Sequence, residues 1–181
     1  GMLGAASAAV GTLLGWAVTF LFFWCGQAQF LLGRELLRRK QAAHALAALE
    51  KATEATPDDA DAHALLATAA FFTGATDQAV AACARALELR PDQLEWRTDC
   101  GLFLARNGEY EAAAAELRRV VASPGYADAA AFVNLGWVYR NAQPPKSDES
   151  IRAYQRALEI DPEQAQAALG LGWACFGASR Y

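Results

Sequence analysis

The phrase EATPDDADAH, residues 54–63, is answered 34 residues later by ELRPDQLEW, residues 88–96, with Pro57 and Pro91 in register. A third phrase of the same kind, EIDPEQAQA at residues 159–167, carries Pro162. Working outward from these prolines, small residues recur where two helices must cross closely. They are Gly33, Ala67, Gly101, Gly136 and Gly172 in a first helix, at spacings of 34, 34, 35 and 36. Ala45, Ala79 and Ala113 take the same role in a second helix, and Ala52, Ala86 and Ala157 each stand five residues before a proline. A fixed period of this length is the mark of stacked supersecondary units, each unable to bury its apolar face alone.

The composition agrees. The 181 residues are 54% hydrophobic, 20% charged and 10% aromatic, with a formal net charge of −4. Only 6 prolines and 14 glycines interrupt an alanine-rich, regularly patterned chain, which excludes intrinsic disorder and a collagen-like fibre. The mildly acidic body lacks the basic stripe that phosphate neutralisation needs, so nucleic acid is not expected as a ligand. Alanine-rich helices of about a dozen residues are marginal alone. Apolar residues at helical spacing, such as Leu65, Ala69 and Phe72, offer a stripe for neighbouring helix pairs to bury.

The pattern resembles the tetratricopeptide repeat, a 34-residue helix-turn-helix unit with the signature W-x2-L-G-x2-Y, A-x3-F and a closing proline. LGWVY (Leu135 to Tyr139) and SIRAYQRALEIDP (Ser150 to Pro162) match it best. Gly125 stands near the expected proline of the third repeat, and QPPKS (Gln143 to Ser147) adds about two residues to the fourth turn. The resemblance implies an all-α chain with a right-handed α-solenoid of about four and a half repeats, at residues 26–59, 60–93, 94–128, 129–164 and a partial 165–181. In the last of these, Trp173 and Phe176 are expected to need cover from further chain or from a partner.

The N-terminal fifth is a different material. Its first charged side chain is Arg34, and Leu3 to Trp24 reads LGAASAAVGTLLGWAVTFLFFW, 22 residues without a charge. As a helix this run reaches roughly 33 Å, enough to cross a bilayer, so residues 3–25 are expected to form a transmembrane helix. No basic residue precedes the run, unlike a cleaved signal peptide. Phe22, Phe23 and Trp24 occupy the positions before Cys25 where a lipoprotein signal needs small residues. Gly4, Ala8, Gly11 and Gly15 fall on one stripe that lets another helix approach, whereas common Ala and Gly alone would also produce it. Arg34, Arg38, Arg39 and Lys40 follow the run, which by the positive-inside rule places the repeats in the cytoplasm; the alternative is periplasmic.

No catalytic constellation is visible, and no cofactor or metal is expected. His44 and His63 have no ligand-spaced partners. Cys25, Cys83, Cys100 and Cys175 are far apart without a CxxC, so they read as buried small apolar residues rather than a disulfide or zinc framework.

The family resemblance implies a partner-binding groove lined by the first helices: Thr68 and Phe72, Leu102 and Arg106, Asn134, Trp137, Arg140 and Asn141, and Trp173. Some relatives grip a C-terminal carboxylate with Lys, Asn and Arg, for which only Arg106, Asn134 and Arg140 stand here. An apolar or helical peptide whose carboxylates meet Arg106 and Arg140 is the favoured ligand, while Trp137 and Trp173 also suit packing between repeats. A narrower resemblance, over Asp99 to Pro162, is to the tetratricopeptide pilotins of type IV pilus biogenesis, which have a YGxFL-like helix, a Pro-x-Tyr loop and an NLG helix. The expected role is a membrane-anchored scaffold or accessory subunit that binds protein subunits of a membrane complex. A pilotin-like protein, a soluble adaptor and a non-catalytic regulatory part of a longer enzyme are the alternatives.

Overall fold

The computed structural model describes residues 24–123 and 128–178. They form helices throughout: α1 (residues 24–38), α2 (Ala42–Ala55), α3 (Ala60–Thr73), α4 (Thr76–Leu89), α5 (Leu94–Arg106), α6 (Tyr110–Val121), α7 (Ala129–Asn141), α8 (Ser147–Ile160) and α9 (Ala165–Ala178). No strand occurs among the described residues. The chain divides into two compact units, Gly1–Leu89 and Arg90–Tyr181.

In unit 1 helices α1 to α4 pack as successive pairs. The turn of each pair repeats the same hydrogen bonds. Gln41 N–H donates to Leu36 C=O and Ala75 N–H to Ala70 C=O, both at 2.9 Å, closing a six-residue helix end. The residue before each of these donors is left-handed: Lys40 at φ 59° and Gly74 at φ 84°. In unit 2 the turn between α5 and α6 does likewise, with Glu109 N–H donating to Leu104 C=O and Gly108 at φ 87°. Glycine adopts this conformation without a Cβ penalty, so Lys40 is the exception in a register of 34. The longer fourth turn closes instead through Lys146 N–H to Tyr139 C=O at 3.0 Å.

Close crossings follow the small residues. A Cβ at Gly33 would lie 2.5 Å from Leu49 Cγ, one at Gly101 2.8 Å from Leu117 Cγ, and one at Gly136 3.0 Å from the Tyr154 ring. Leu49, Leu117 and Tyr154 thus fill the hollow opposite a glycine, and all three are almost fully buried. In the second repeat Ala67 replaces the glycine and the smaller Cys83 takes the facing register, both buried. Burial of each such leucine contributes about 1.5–3 kcal/mol. Ala45, Ala52, Ala79, Ala86, Ala113 and Ala157 are fully buried, as their spacing predicts.

The last helix, α9, adds a contact of another kind. Gly172 meets nothing, whereas a Cβ at Gly170 would lie 2.3 Å from the Tyr154 ring. Two residues along a helix turn the side-chain direction by roughly 200°, so only one of these glycines faces α8. Tyr154, which faces Gly136 of α7, is thus also bounded by Gly170 of α9, whereas no helix follows α9 among the described residues to cross it at Gly172. Ser150, also buried, donates its Oγ to Gly136 C=O at 2.8 Å, so the helix surface exposed by the missing Cβ is used twice.

The cysteine expectation is also corrected. Cys25 and Cys175 are free and exposed, and although Cys83 and Cys100 are buried, neither is a free thiol. Among the described residues no helix is long and apolar enough to cross a membrane. The anchor expected at residues 3–25 lies outside them except for Trp24 and Cys25. The stripe of Gly4, Ala8, Gly11 and Gly15 lies wholly outside, as do Gly125 and its loop.

Candidate functional site

Unit 1 carries two of the expected groove residues, one helical turn apart on α3. Thr68 is half-buried, and its Oγ1 donates to Ala64 C=O at 3.1 Å, which commits its proton to its own helix. Phe72 is 68% exposed, so it is no part of the buried stripe that Ala69 joins. Its ring meets Phe71 edge-on at 5.8 Å. Below it lies a hollow of about 620 Å³ lined by Leu37, Arg38, Lys40, Ala42 and Phe72.

Unit 2 carries the rest. Leu102 is half-buried and Arg106 exposed on the last turns of α5. On α7 the residues Asn134, Trp137, Arg140 and Asn141 are all half-buried, and their three- and four-residue spacings keep them on one side of the helix. Asn141 donates Nδ2 to Trp137 C=O at 2.7 Å, which fixes its amide against the helix. The Trp137 indole packs on a core of Ala105, Leu117, Leu135, Val138 and Tyr139, with the Tyr110 ring tilted against it at 6.5 Å. Trp137 therefore has a packing role as well as a place on this face. Trp173 on α9 stands 61% exposed.

This side mixes charges, with Arg106 and Arg140 beside the acids Glu95 and Asp99 of α5. Burial pushes the Tyr154 phenol up, while the Arg140 guanidinium draws it back, which puts the charge of Arg140 within reach of that ring. Loss of water around Asp99 pushes its carboxyl up, helped by Glu95 one turn earlier on α5. Among the described residues no group of three or more His, Cys, Asp and Glu side chains is placed to hold a metal ion. The arrangement offers aromatic surface, guanidinium groups and amides, which suits peptide recognition rather than bond-making chemistry.

Two features escaped the sequence reading. Tyr110, at the start of α6, supports Trp137 and also lines a smaller hollow of about 400 Å³ with Gly108, Glu111 and Gln143. Lys40 and Ala42 occupy the positions of Gly108 and Tyr110 two repeats earlier. A lysine in the glycine register was the signal that would have marked the first hollow.

No curated protein matches the chain in sequence. Among solved structures, that of MamA residues 41 to the end from Desulfovibrio magneticus RS-1 is similar at 25% identity, covering 86% of each chain with a TM-score of 0.77. Pseudomonas aeruginosa pilF is similar at 25% identity over 88% of this chain and 72% of that one, with a TM-score of 0.70. YrrB, described as a TPR protein with an unusual peptide-binding site, shares the fold at 20% identity, with a TM-score of 0.71 over 83% of this chain and 76% of that one. Family models described as tetratricopeptide repeat match residues 36–98 and 146–181, together more than half of the sequence, and the chain belongs to the tetratricopeptide repeat family.

Proposed function

We propose that this tetratricopeptide chain is a non-catalytic scaffold or accessory subunit of a membrane protein complex, tethered by the uncharged segment at residues 3–25. One observation carries the binding role: Trp137, Arg140 and Asn141 share a turn of α7, half-buried, with an aromatic surface beside a guanidinium. That combination is enriched at energetic centres of protein interfaces. The tether rests on the 22 uncharged residues and on Arg34, Arg38, Arg39 and Lys40 after them, which favour repeats in the cytoplasm.

The test is copurification of the native chain from membranes in mild detergent, with partners identified by mass spectrometry, repeated with Trp137→Ala plus Arg140→Ala. The double variant should lose its partner, since truncating one anchoring aromatic costs about 2 kcal/mol or more. Tyr110→Ala separates packing from binding, because it removes the ring that supports Trp137 and leaves the indole and guanidinium in place. Partner retention by the double variant with a lowered melting temperature would make Trp137 a core residue and end the groove reading.

A second reading, a pilotin-like assembly protein, is favoured by the pilF likeness at 25% identity and by the NLG helix at Asn134 to Gly136. It places the repeats in the periplasm. Protease added to intact spheroplasts decides between the two: protection of the repeats supports the scaffold on the cytoplasmic side, and digestion supports the pilotin-like reading.

A further inference from the structure

The outward face of α1 breaks a pattern that the later first helices keep. In the repeat register Leu32 corresponds to Leu66, Cys100 and Leu135, all of them buried, whereas Leu32 is 49% exposed. Leu31 is also 49% exposed and Trp24 62%, and Cys25 and Ala28 are exposed as well. Spacings of four and three residues from Trp24 through Ala28 to Leu31 put these on one side of the helix, away from the buried Gly26 and Gly33. The apolar character then ends abruptly. Glu35 holds the register of Ala69, Phe103 and Val138, which are buried, and it pairs with Arg38 at 2.9 Å and Arg39 at 2.8 Å.

That division decides what can cover the face. A helix pair stacked here, from this chain or from a second copy, would take Glu35 and its two arginines out of water, and the desolvation of such charges can exceed what their pairing returns. A bilayer surface imposes no such cost. Its interfacial layer accepts Trp and Leu at one level and leaves basic groups hydrated among the phosphates at the next. Two observations point the same way. The face is continuous with the uncharged run that ends at Trp24, and four of the 16 basic residues, against one of the 20 acids, fall in residues 34–40. Leu32 lies roughly 12 Å along the helix from Trp24. An interfacial layer is only about 5–8 Å thick, so both residues reach it when α1 leans toward the surface.

We propose that the Trp24 to Leu32 side of α1 rests in the interfacial layer of the bilayer, with Arg34, Arg38 and Arg39 on the phosphates of anionic phospholipids. The pairs with Glu35 are exposed and therefore weak, so lipid phosphate can share the same guanidinium groups. The proposal rests on the reading of residues 3–25 as a membrane tether, and adds that folded α1 touches lipid beyond the point where the span ends.

The test reconstitutes the full chain into vesicles of phosphatidylcholine alone, or with phosphatidylglycerol as the minor component. Leu32→Cys is combined with Cys25→Ser, and the native Cys175, exposed on α9, is kept as a reference thiol in the same molecule. An uncharged, membrane-impermeant polyethylene-glycol maleimide labels both, and peptide mass spectrometry gives the ratio of their rates, which corrects for chains that face the vesicle interior. In anionic vesicles the thiol at position 32 should label about tenfold more slowly, relative to Cys175, than in neutral ones. Arg38→Gln plus Arg39→Gln should remove that difference, since each basic residue at an anionic surface contributes roughly fivefold. Both arginines are exposed, so the melting temperature should not change. Leu31→Cys should repeat the pattern and serves if Leu32→Cys fails to fold.

Equal labelling in the two kinds of vesicle, or protection that survives in the arginine variant, would overturn the proposal. So would protection that vanishes when the chain is diluted to single copies per vesicle, which would make a second copy the cover. Alkaline carbonate separates this proposal from the tether. A chain that stays in the membrane while position 32 labels freely keeps the tether and loses the lipid-binding face. A chain released by carbonate that still shows charge-dependent protection beforehand keeps the face and loses the tether.

Discussion

Unit 1 and unit 2 meet the same packing problem with side chains of different size. In unit 1 Leu49 presses on Gly33, and one repeat later Ala67 and Cys83 share the corresponding register. In unit 2 Leu117 faces Gly101 in the same way, but at the next crossing the facing residue grows to a tyrosine, with glycines on both sides of it at Gly136 and Gly170. The lesson is that the 34-residue period conserves a small residue opposite each knob rather than one residue type. Where the knob is large, the opposing helix gives up its Cβ; where it is small, alanine suffices. Close-packed interiors tolerate neither voids nor overlap, so the two sides must match.

The sharpest way to break the comparison is at Tyr154. Gly170→Ala puts a methyl 2.3 Å from a ring already confined by Gly136 on its other side, and such overpacking costs about 1–3 kcal/mol. Gly172→Ala, two residues on, meets open space and should instead stabilise α9 by about 0.5–1 kcal/mol. Tyr154→Leu imports the unit 1 solution and leaves a partial cavity, at a cost of about 2 kcal/mol. In that background the penalty of Gly170→Ala should shrink or vanish. Thermal melts of the four variants measure it as a double-mutant cycle; strictly additive losses would show that the ring does not confine Gly170.

This crossing also marks how far the sequence could be read. The 34-residue period was visible because the buried alanines and the proline turns are sequence-local, and helix geometry converts that spacing into a face. The contact of Gly170 with Tyr154 was not visible, because it joins α9 to the helix before it, whereas the period marks glycines that face the helix after them. The groove list shows the same boundary. Trp137, Arg140 and Asn141 were named by family register, and their shared face follows from helical spacing. That Trp137 leans on Tyr110 depends on a contact 27 positions away in the chain, which no local pattern encodes. The hollow beside Lys40 was missed because it arises from an omission, the alanine at position 42, and from a backbone angle.

Helix starts give a second, smaller contrast. Asp59 precedes α3 in unit 1 and accepts from Asp61 N at 3.0 Å and Ala62 N at 3.2 Å. The equivalent residue before α5 in unit 2 is Gln93, whose side chain makes no capping bond. Helix N-termini leave unsatisfied N–H groups, and an acidic cap is worth about 1 kcal/mol. Exchange of the two residues should therefore produce opposite shifts: Asp59→Gln destabilises by about 1 kcal/mol and Gln93→Asp stabilises by a similar amount. Urea unfolding followed by circular dichroism checks both, and a stabilising Asp59→Gln would contradict the capping role.

The smallest effect concerns acid, and it belongs to unit 1. Hydrogen bonds from Arg38, and secondarily from Arg39, hold the Glu35 carboxyl at about 2 instead of the ordinary 4.5. A carboxylate depressed in the folded state adds stability that is complete above its unfolded pKa and fades as pH falls through the folded one. The contribution of Glu35 is therefore present above about 4.5 and lost toward about 2. All three side chains are substantially exposed, so water and salt screen the gain. The Arg97–Glu116 pair of unit 2 is more enclosed, with side chains 13% and 20% exposed, and salt should weaken it less. Glu35→Gln should flatten the wild-type loss of stability across this acid window slightly at low ionic strength, and salt should erase that difference. Arg97→Ala should remain destabilising in the same salt. Identical acid profiles for the wild type and Glu35→Gln at low salt would mean that the arginines do not engage Glu35 in solution, leaving Arg38 available to lipid phosphates from the outset.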